Sequence, residues 1–267
     1  DEPYDEPAAQ RTERALQGCI LRIDGIARAE SDGIAVLMDG LLESGLCIAE
    51  IGYSRPASGA EHHISHYWEM KLLREGRPAV LHGAKVGVAS LAVAGVFQAI
   101  RRIGRDEAEV RLARATLPDR EQQLTLLVRA FGAIAPQIAA AHEAFLEMSP
   151  EQFAVLRDRV RCSWPRVQEI AERVPEPAEL AALLSLAGGP TCVQPLGLTD
   201  EEACEGLFYG HYLRNRFTVL KLASLLGLLD NVSAAAAFWL PPQSPHSDVE
   251  VIDRVHLEIP TAPAGSR

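Results

Sequence analysis

Ser58-Gly59-Ala60-Glu61-His62-His63-Ile64-Ser65-His66-Tyr67-Trp68-Glu69-Met70-Lys71-Leu72-Leu73-Arg74 runs into Glu75-Gly76-Arg77-Pro78 and then Leu81-His82-Gly83-Ala84-Lys85-Val86-Gly87. The order is helix, break, helix. Ser58 and Glu61 have the spacing of a capping box, in which the serine hydroxyl accepts from the Glu61 amide while the carboxylate reaches back. A helix is predicted from close to Ser58 to about Arg74, because Gly76 and Pro78 break the pattern, and a Gly- and Ala-rich helix from about His82 to Arg102. Four of the eight histidines fall between residues 62 and 82, near these two helix starts.

Working outward, residues Pro7 to about Ala29 are helix-permissive, with Leu16, Ile20 and Ile23 at helical spacing. Ser31 or Asp32 is placed to cap a second helix whose apolar face reads Ile34, Leu37, Met38, Leu41, Gly45, Ile48, so an antiparallel helix pair is expected before the break at Gly52–Pro56. Beyond Gly104 the pattern stays helical, with breaks at Pro118, near Pro136, at Ser149-Pro150, at Pro165 and at Pro175/Pro177. Gly188-Gly189-Pro190 is a stop signal, and Thr199-x-x-Glu202 opens a further helical stretch to Leu229 with a break near Asn215. Period-2 alternation is confined to Val249–Ile259, one candidate strand inside a Pro-rich tail. The expected fold class is therefore all-α, a bundle-like helical domain over residues 1–230 followed by a tail over residues 231–267. No internal repeat, heptad run or Gly-x-Gly-x-x-Gly dinucleotide fingerprint is present.

The chain has 267 residues, 48% hydrophobic and 23% charged, which is ordinary for a globular protein with a sizeable core. A formal charge of −10 argues against a nucleic-acid binder or an anionic-membrane binder, since both need a basic surface; a small anionic substrate needs only a local one. The five cysteines are odd in number, scattered and never paired as C-x-x-C, which fits reduced thiols in a cytoplasmic protein. No uninterrupted apolar run reaches the ~18 residues of a membrane span, so no span is expected. The opening Asp1-Glu2-Pro3-Tyr4 lacks an initiating Met and reads like the middle of a longer protein.

Histidine is the commonest protein ligand for a transition metal and the side chain that titrates nearest neutral pH. His62 and His66, four apart, project from one helix face, while His63 is rotated roughly 100° away. A catalytic divalent metal takes about three protein ligands and leaves a position open, so His62, a histidine from another helix and a carboxylate would form a sensible set. His82 is the natural second histidine, with Gly83 and Gly87 allowing close backbone approach and Lys85 adding a cation. The same spacing also occurs in surface or core histidines, and on spacing alone both readings stand.

The quoted blocks also carry a resemblance. Ser54-Arg55-Pro56-Ala57 through Met70, followed by Leu81–Val88, resembles the helical domain of the sn-glycerol-1-phosphate dehydrogenases, within the iron-containing alcohol dehydrogenase and dehydroquinate synthase-like superfamily; Tyr212-Leu213-Arg214-Asn215-Arg216-Phe217-Thr218 resembles the family's late helix. Similarity spans residues 10 to 230. The resemblance implies the C-terminal metal-binding half of a two-domain enzyme whose N-terminal nucleotide-binding domain is absent from this chain. It implies a divalent metal, zinc or nickel, held by His62, His82 and an Asp, with His66 facing the reacting carbon as a catalytic proton-relay group. The reaction implied is NAD(P)H-linked reduction of dihydroxyacetone phosphate to sn-glycerol 1-phosphate, part of phospholipid metabolism. Arg55 and Lys85 are the candidate substrate-binding cations, Arg214 and Arg216 weaker ones, no residue is assigned to the nicotinamide cofactor, and a homo-oligomer is expected.

Besides the absent nucleotide-binding domain, one departure from that pattern limits the implication. The family's metal-binding Asp lies in a Gly-Asp element before the stretch resembling residues 1–20; Asp24-Gly25 and Asp32-Gly33 have the reverse order, and no counterpart is found. The chain by itself is therefore expected to be inactive. A dehydroquinate-synthase-like cyclase of the same superfamily is one alternative, which the Ser-Arg-Pro-Ala-Ser-Gly block disfavours. A non-catalytic helical metal-binding or interaction module is the other, and the missing Asp favours it.

Overall fold

The computed structural model describes residues 4–54 and 57–236. Arg55, the candidate strand Val249–Ile259 and nearly all of the expected tail lie outside the described residues. Within them the structure is all-α, with no strand. In chain order the helices are α1 (Glu6–Leu21), α2 (Ile23–Ala27), α3 (Ser31–Ile51), α4 (Ala60–Arg74), α5 (His82–Arg101), α6 (Arg105–Arg114), α7 (Arg120–Phe131), α8 (Ala135–Ala141) and α9 (Glu143–Leu146). These are followed by α10 (Pro150–Cys162), α11 (Trp164–Arg173), α12 (Pro177–Leu186), α13 (Asp200–Tyr209), α14 (Val219–Leu225) and α15 (Leu229–Ala234), the last crossing residue 230.

Local chemistry sets most boundaries. Ser149 forms a full capping box with Gln152 at the start of α10, and Thr199 one with Glu202 at the start of α13. Gly188, at φ 75°, stops α12 in the left-handed region that favours glycine. The first helix departs from expectation by breaking at Arg22, which separates α1 from α2. Neither Ser31 nor Asp32 caps α3, whose N-cap is Glu30 without a side-chain hydrogen bond.

The expected apolar face of α3 is also corrected. Ile34, Met38 and Leu41 are 39%, 50% and 59% exposed, while Gly33, Gly40 and Cys47 face α1 and α2. Small residues win that face because the helices cross so closely: a Cβ on Gly33 would lie 2.3 Å from the Gly25 carbonyl carbon, and one on Gly40 would lie 3.2 Å from Cys19 Sγ. Between this hairpin and the body runs an apolar groove of about 1210 Å³, with Leu16, Ile20 and Ile23 on one wall and Ile170, Leu180 and Leu184 on the other.

Helix α5 is the axis of the body. Val88, Ala89, Leu91, Ala92 and Val96 are wholly buried, against α4, α11, α12, α14 and α15. By length and mean hydropathy alone, residues 82–101 and 120–141 could cross a membrane. The first stretch is apolar because it fills the core, and the second is interrupted by the turn Gly132–Ile134.

Helix α4 lies across α13 with Ile64, Tyr67, Trp68 and Leu72 inward. Trp68 Nε1 donates to the Glu202 carbonyl at 2.8 Å, Tyr67 OH donates to Glu205 at 3.1 Å, and Tyr67 stacks on Tyr209. Behind them Arg77 bonds Glu202 and the Gly197 carbonyl, fixing the break between α4 and α5 to the start of α13. Gly206 makes this seat possible, since a Cβ there would lie 2.4 Å from Trp68 Nε1 and 3.1 Å from Ile64 Cγ2. Gly206→Val is expected to lower unfolding free energy by about 1–3 kcal/mol in urea titration, through overpacking. An unchanged midpoint would show that α4 is not seated as described.

Candidate metal centre

Because Ile64 and Trp68 point into the core, the opposite stripe of α4 carries His62, His66 and Glu69 at positions i, i+4 and i+7. Helix α5 begins at His82, so its first side chain stands beside that stripe. The three imidazoles converge: His82 lies 5.3 Å from both His62 and His66, centroid to centroid, and His62 lies 6.4 Å from His66. His63 turns away into the core, where burial first and Arg216 second push its pKa down to about 4.

The start of α4 and the orientation of His62 share one carboxylate. Glu61 accepts from the Gly59 amide at 2.7 Å and from His62 Nδ1 at 2.9 Å. Burial would raise Glu61, but these two bonds outweigh it and hold the carboxyl below its ordinary range. An ionised carboxylate only accepts, so His62 donates from Nδ1 and Nε2 is the nitrogen left to face a metal. The expected box is thus half formed and one residue displaced: Gly59 is the N-cap, and the Ser58 hydroxyl does not cap. Arg216 holds the approach instead, donating to the Ser58 carbonyl at 2.9 Å and to Ser54 Oγ at 3.4 Å.

Glu69 was not among the residues singled out from the sequence, although its i+7 spacing from His62 would have marked it. Its carboxylate lies 3.5 Å from His66 Nδ1 and 3.8 Å from Lys85 Nζ. Lys85 is buried and donates to the Val80 carbonyl at 2.9 Å, so its charge faces Glu69 and the backbone. Burial lowers the His66 pKa, with His82 and His62 acting the same way and Glu69 opposing them. One donor atom each from His66, Glu69 and His82 lies within 4.8 Å of the others, so nitrogen and oxygen ligands suited to a divalent transition metal are gathered here. His82 belongs to this set and to the His62/His82 pair expected from the sequence.

A protein named glycerol-1-phosphate dehydrogenase [NAD(P)+] from Geobacillus stearothermophilus is 34% identical over 221 residues, 82% of this chain and 46% of that protein. One of the same name from Bacillus licheniformis is 32% identical over 228 residues, 85% of this chain and 44% of that protein. One from Staphylothermus marinus is 37% identical over 90 residues, 34% of this chain and 24% of that protein. This chain is a homologue of the glycerol-1-phosphate dehydrogenases. It spans about half the length of the curated relatives it matches most fully. No family model matches it, and no solved structure does. In this chain the described residues are helical and bring three histidines and a carboxylate together.

The roles of these groups separate in a zinc titration against a chromophoric chelator. His82→Ala is expected to weaken zinc binding by about 10–100-fold or more, and Glu69→Gln, if the carboxylate orients His66 without ligating, by only about 3-fold. Equal losses in the two variants would make Glu69 a ligand.

Proposed function

We propose that this chain is the metal- and substrate-binding half of an NAD(P)-linked oxidoreductase that reduces dihydroxyacetone phosphate to sn-glycerol 1-phosphate. The observation that carries the proposal is the convergence of His62, His66 and His82 at the meeting of α4 and α5, in a chain 34% identical to a named glycerol-1-phosphate dehydrogenase.

In this reading His62 and His82 hold a divalent metal, zinc or nickel. Glu61 fixes His62 with its Nε2 lone pair outward, the usual second partner of a ligating histidine. The bound metal supplies Lewis-acid polarisation of the substrate carbonyl. His66 is left beside the ligands, and Glu69 takes its Nδ1, so the other ring nitrogen is left as an acceptor that relays to the substrate oxygen a proton it first takes from water, Glu69 supporting the transient imidazolium. Lys85 anchors Glu69 and reaches substrate phosphate only by leaving the Val80 carbonyl; Arg55 is the other proposed phosphate cation. The third ligand and the nicotinamide site belong to residues beyond this chain, which on its own turns over no substrate.

The test is NADH and NADPH oxidation by the full-length gene product loaded with zinc or nickel. Dihydroxyacetone phosphate should be reduced, and His66→Asn should cut kcat by about 10²–10⁴-fold while the bound metal is retained. Turnover of a dehydroquinate precursor with none of dihydroxyacetone phosphate would overturn the reading in favour of a cyclase.

A further inference from the structure

A second cluster of titratable groups lies on elements that carry none of the site histidines. Lys221 on α14, His142 between α8 and α9, and His211 in the Gly210–Tyr212 turn are all buried. Lys221 Nζ is 2.6 Å from His142 Nε2, 4.4 Å from the centre of the Phe145 ring and 5.3 Å from that of Tyr212. The His142 ring stacks on Phe145 and meets His211 at 6.2 Å. Among the described residues no carboxylate lies within ion-pair distance of Lys221, and His211 Nδ1, in a side chain more than nine-tenths buried, has no hydrogen-bond partner.

Burial without a countercharge shows in all three groups. Burial, and then the neighbouring Lys221, brings His142 down to about 3 and His211 well below its ordinary value. Burial alone brings Lys221 down to about 7. A buried ammonium is costly unless paired, and here it has only a neutral imidazole and two ring faces.

Lys221, His211 and Tyr212 line a cavity of about 700 Å³ that shares no residue with the α4–α5 centre. Its walls include Phe145, Phe208 and Phe217. Arg111 and Arg114 also line it, as do three acids: Glu107 is paired with Arg111 at 2.8 Å, Asp119 caps α7 through the Gln122 amide at 2.8 Å, and Asp230 sits in the first turn of α15. Lys221 therefore brings to this cavity a cation with no carboxylate partner among the described residues, set beside the Phe145 and Tyr212 rings. A buried cation beside aromatic rings suits a carboxylate head on an apolar body.

We propose that this cavity binds a small organic carboxylate, its head on Lys221 and its apolar body against Phe145 and Phe208. The site is independent of the proposed dehydrogenase chemistry and adds a second ligand to the chain. Benzoate and its neutral isostere benzamide are the probes, measured by calorimetry on the wild-type chain, Lys221→Met, Lys221→Arg and His82→Ala. Benzoate should bind at least about tenfold tighter than benzamide, Lys221→Met should remove that preference, and Lys221→Arg and His82→Ala should keep it.

A second measurement needs no variant. The chain has three lysines, Lys71, Lys85 and Lys221, so reductive methylation read by mass spectrometry reports each one. Benzoate should slow methylation of Lys221 by about tenfold relative to Lys71, and benzamide should not. Equal binding of the two probes, unchanged benzoate affinity in a folded Lys221→Met chain, or no protection of Lys221 would each overturn the proposal.

Discussion

The Glu61 carboxylate, shared between the Gly59 amide and the His62 imidazole, ties the start of α4 to the chemistry of the centre. Helix starts leave backbone amides without partners, and a carboxylate three or fewer residues away is the usual remedy. Here the same group also sets which nitrogen of His62 is protonated. The helix therefore begins, and its first histidine is aimed, through a single acceptor. His66 and Glu69 follow from that start by helical spacing, one and two turns on.

Aiming α4 is useful only if the helix cannot roll. Tyr67 and Trp68, on the opposite stripe, are bonded to α13, and Gly206 permits an approach that any side chain would block. Arg77 then fixes the short break to the start of α13, so α5 begins with His82 beside His62 and His66. Packing on one face of α4 positions chemistry on the other. A similar economy appears in α3, where small residues take the contact face and the bulky apolar ones are left outward.

Much of this was legible in the sequence because it is local. Capping at Ser149 and Thr199, the stop at Gly188, and the placement of four histidines near two helix starts all follow from short-range rules. The face of α3 was misread because hydrophobic periodicity assumes that bulk seeks the core, whereas close helix crossing selects glycine. Glu69 was overlooked because a lone acidic residue on a helix reads as a solvated face until His82 comes beside it. Lys85 read as a candidate phosphate cation or a salt-bridging one, and only the tertiary structure shows it turned toward Val80 and Glu69. Lys221, His142 and His211 are 10 to 79 residues apart, so no sequence pattern could have joined them.

The central claim is that α4 and α5 present a divalent-metal centre through His62 and His82. Anomalous diffraction at the zinc edge, from crystals of this chain soaked in zinc, tests it most directly. The account predicts a single strong peak about 2.0–2.1 Å from one nitrogen each of His62 and His82, with Glu69 still on His66. A peak bound by His66, Glu69 and His82 without His62, or no peak between the two helices, would contradict it.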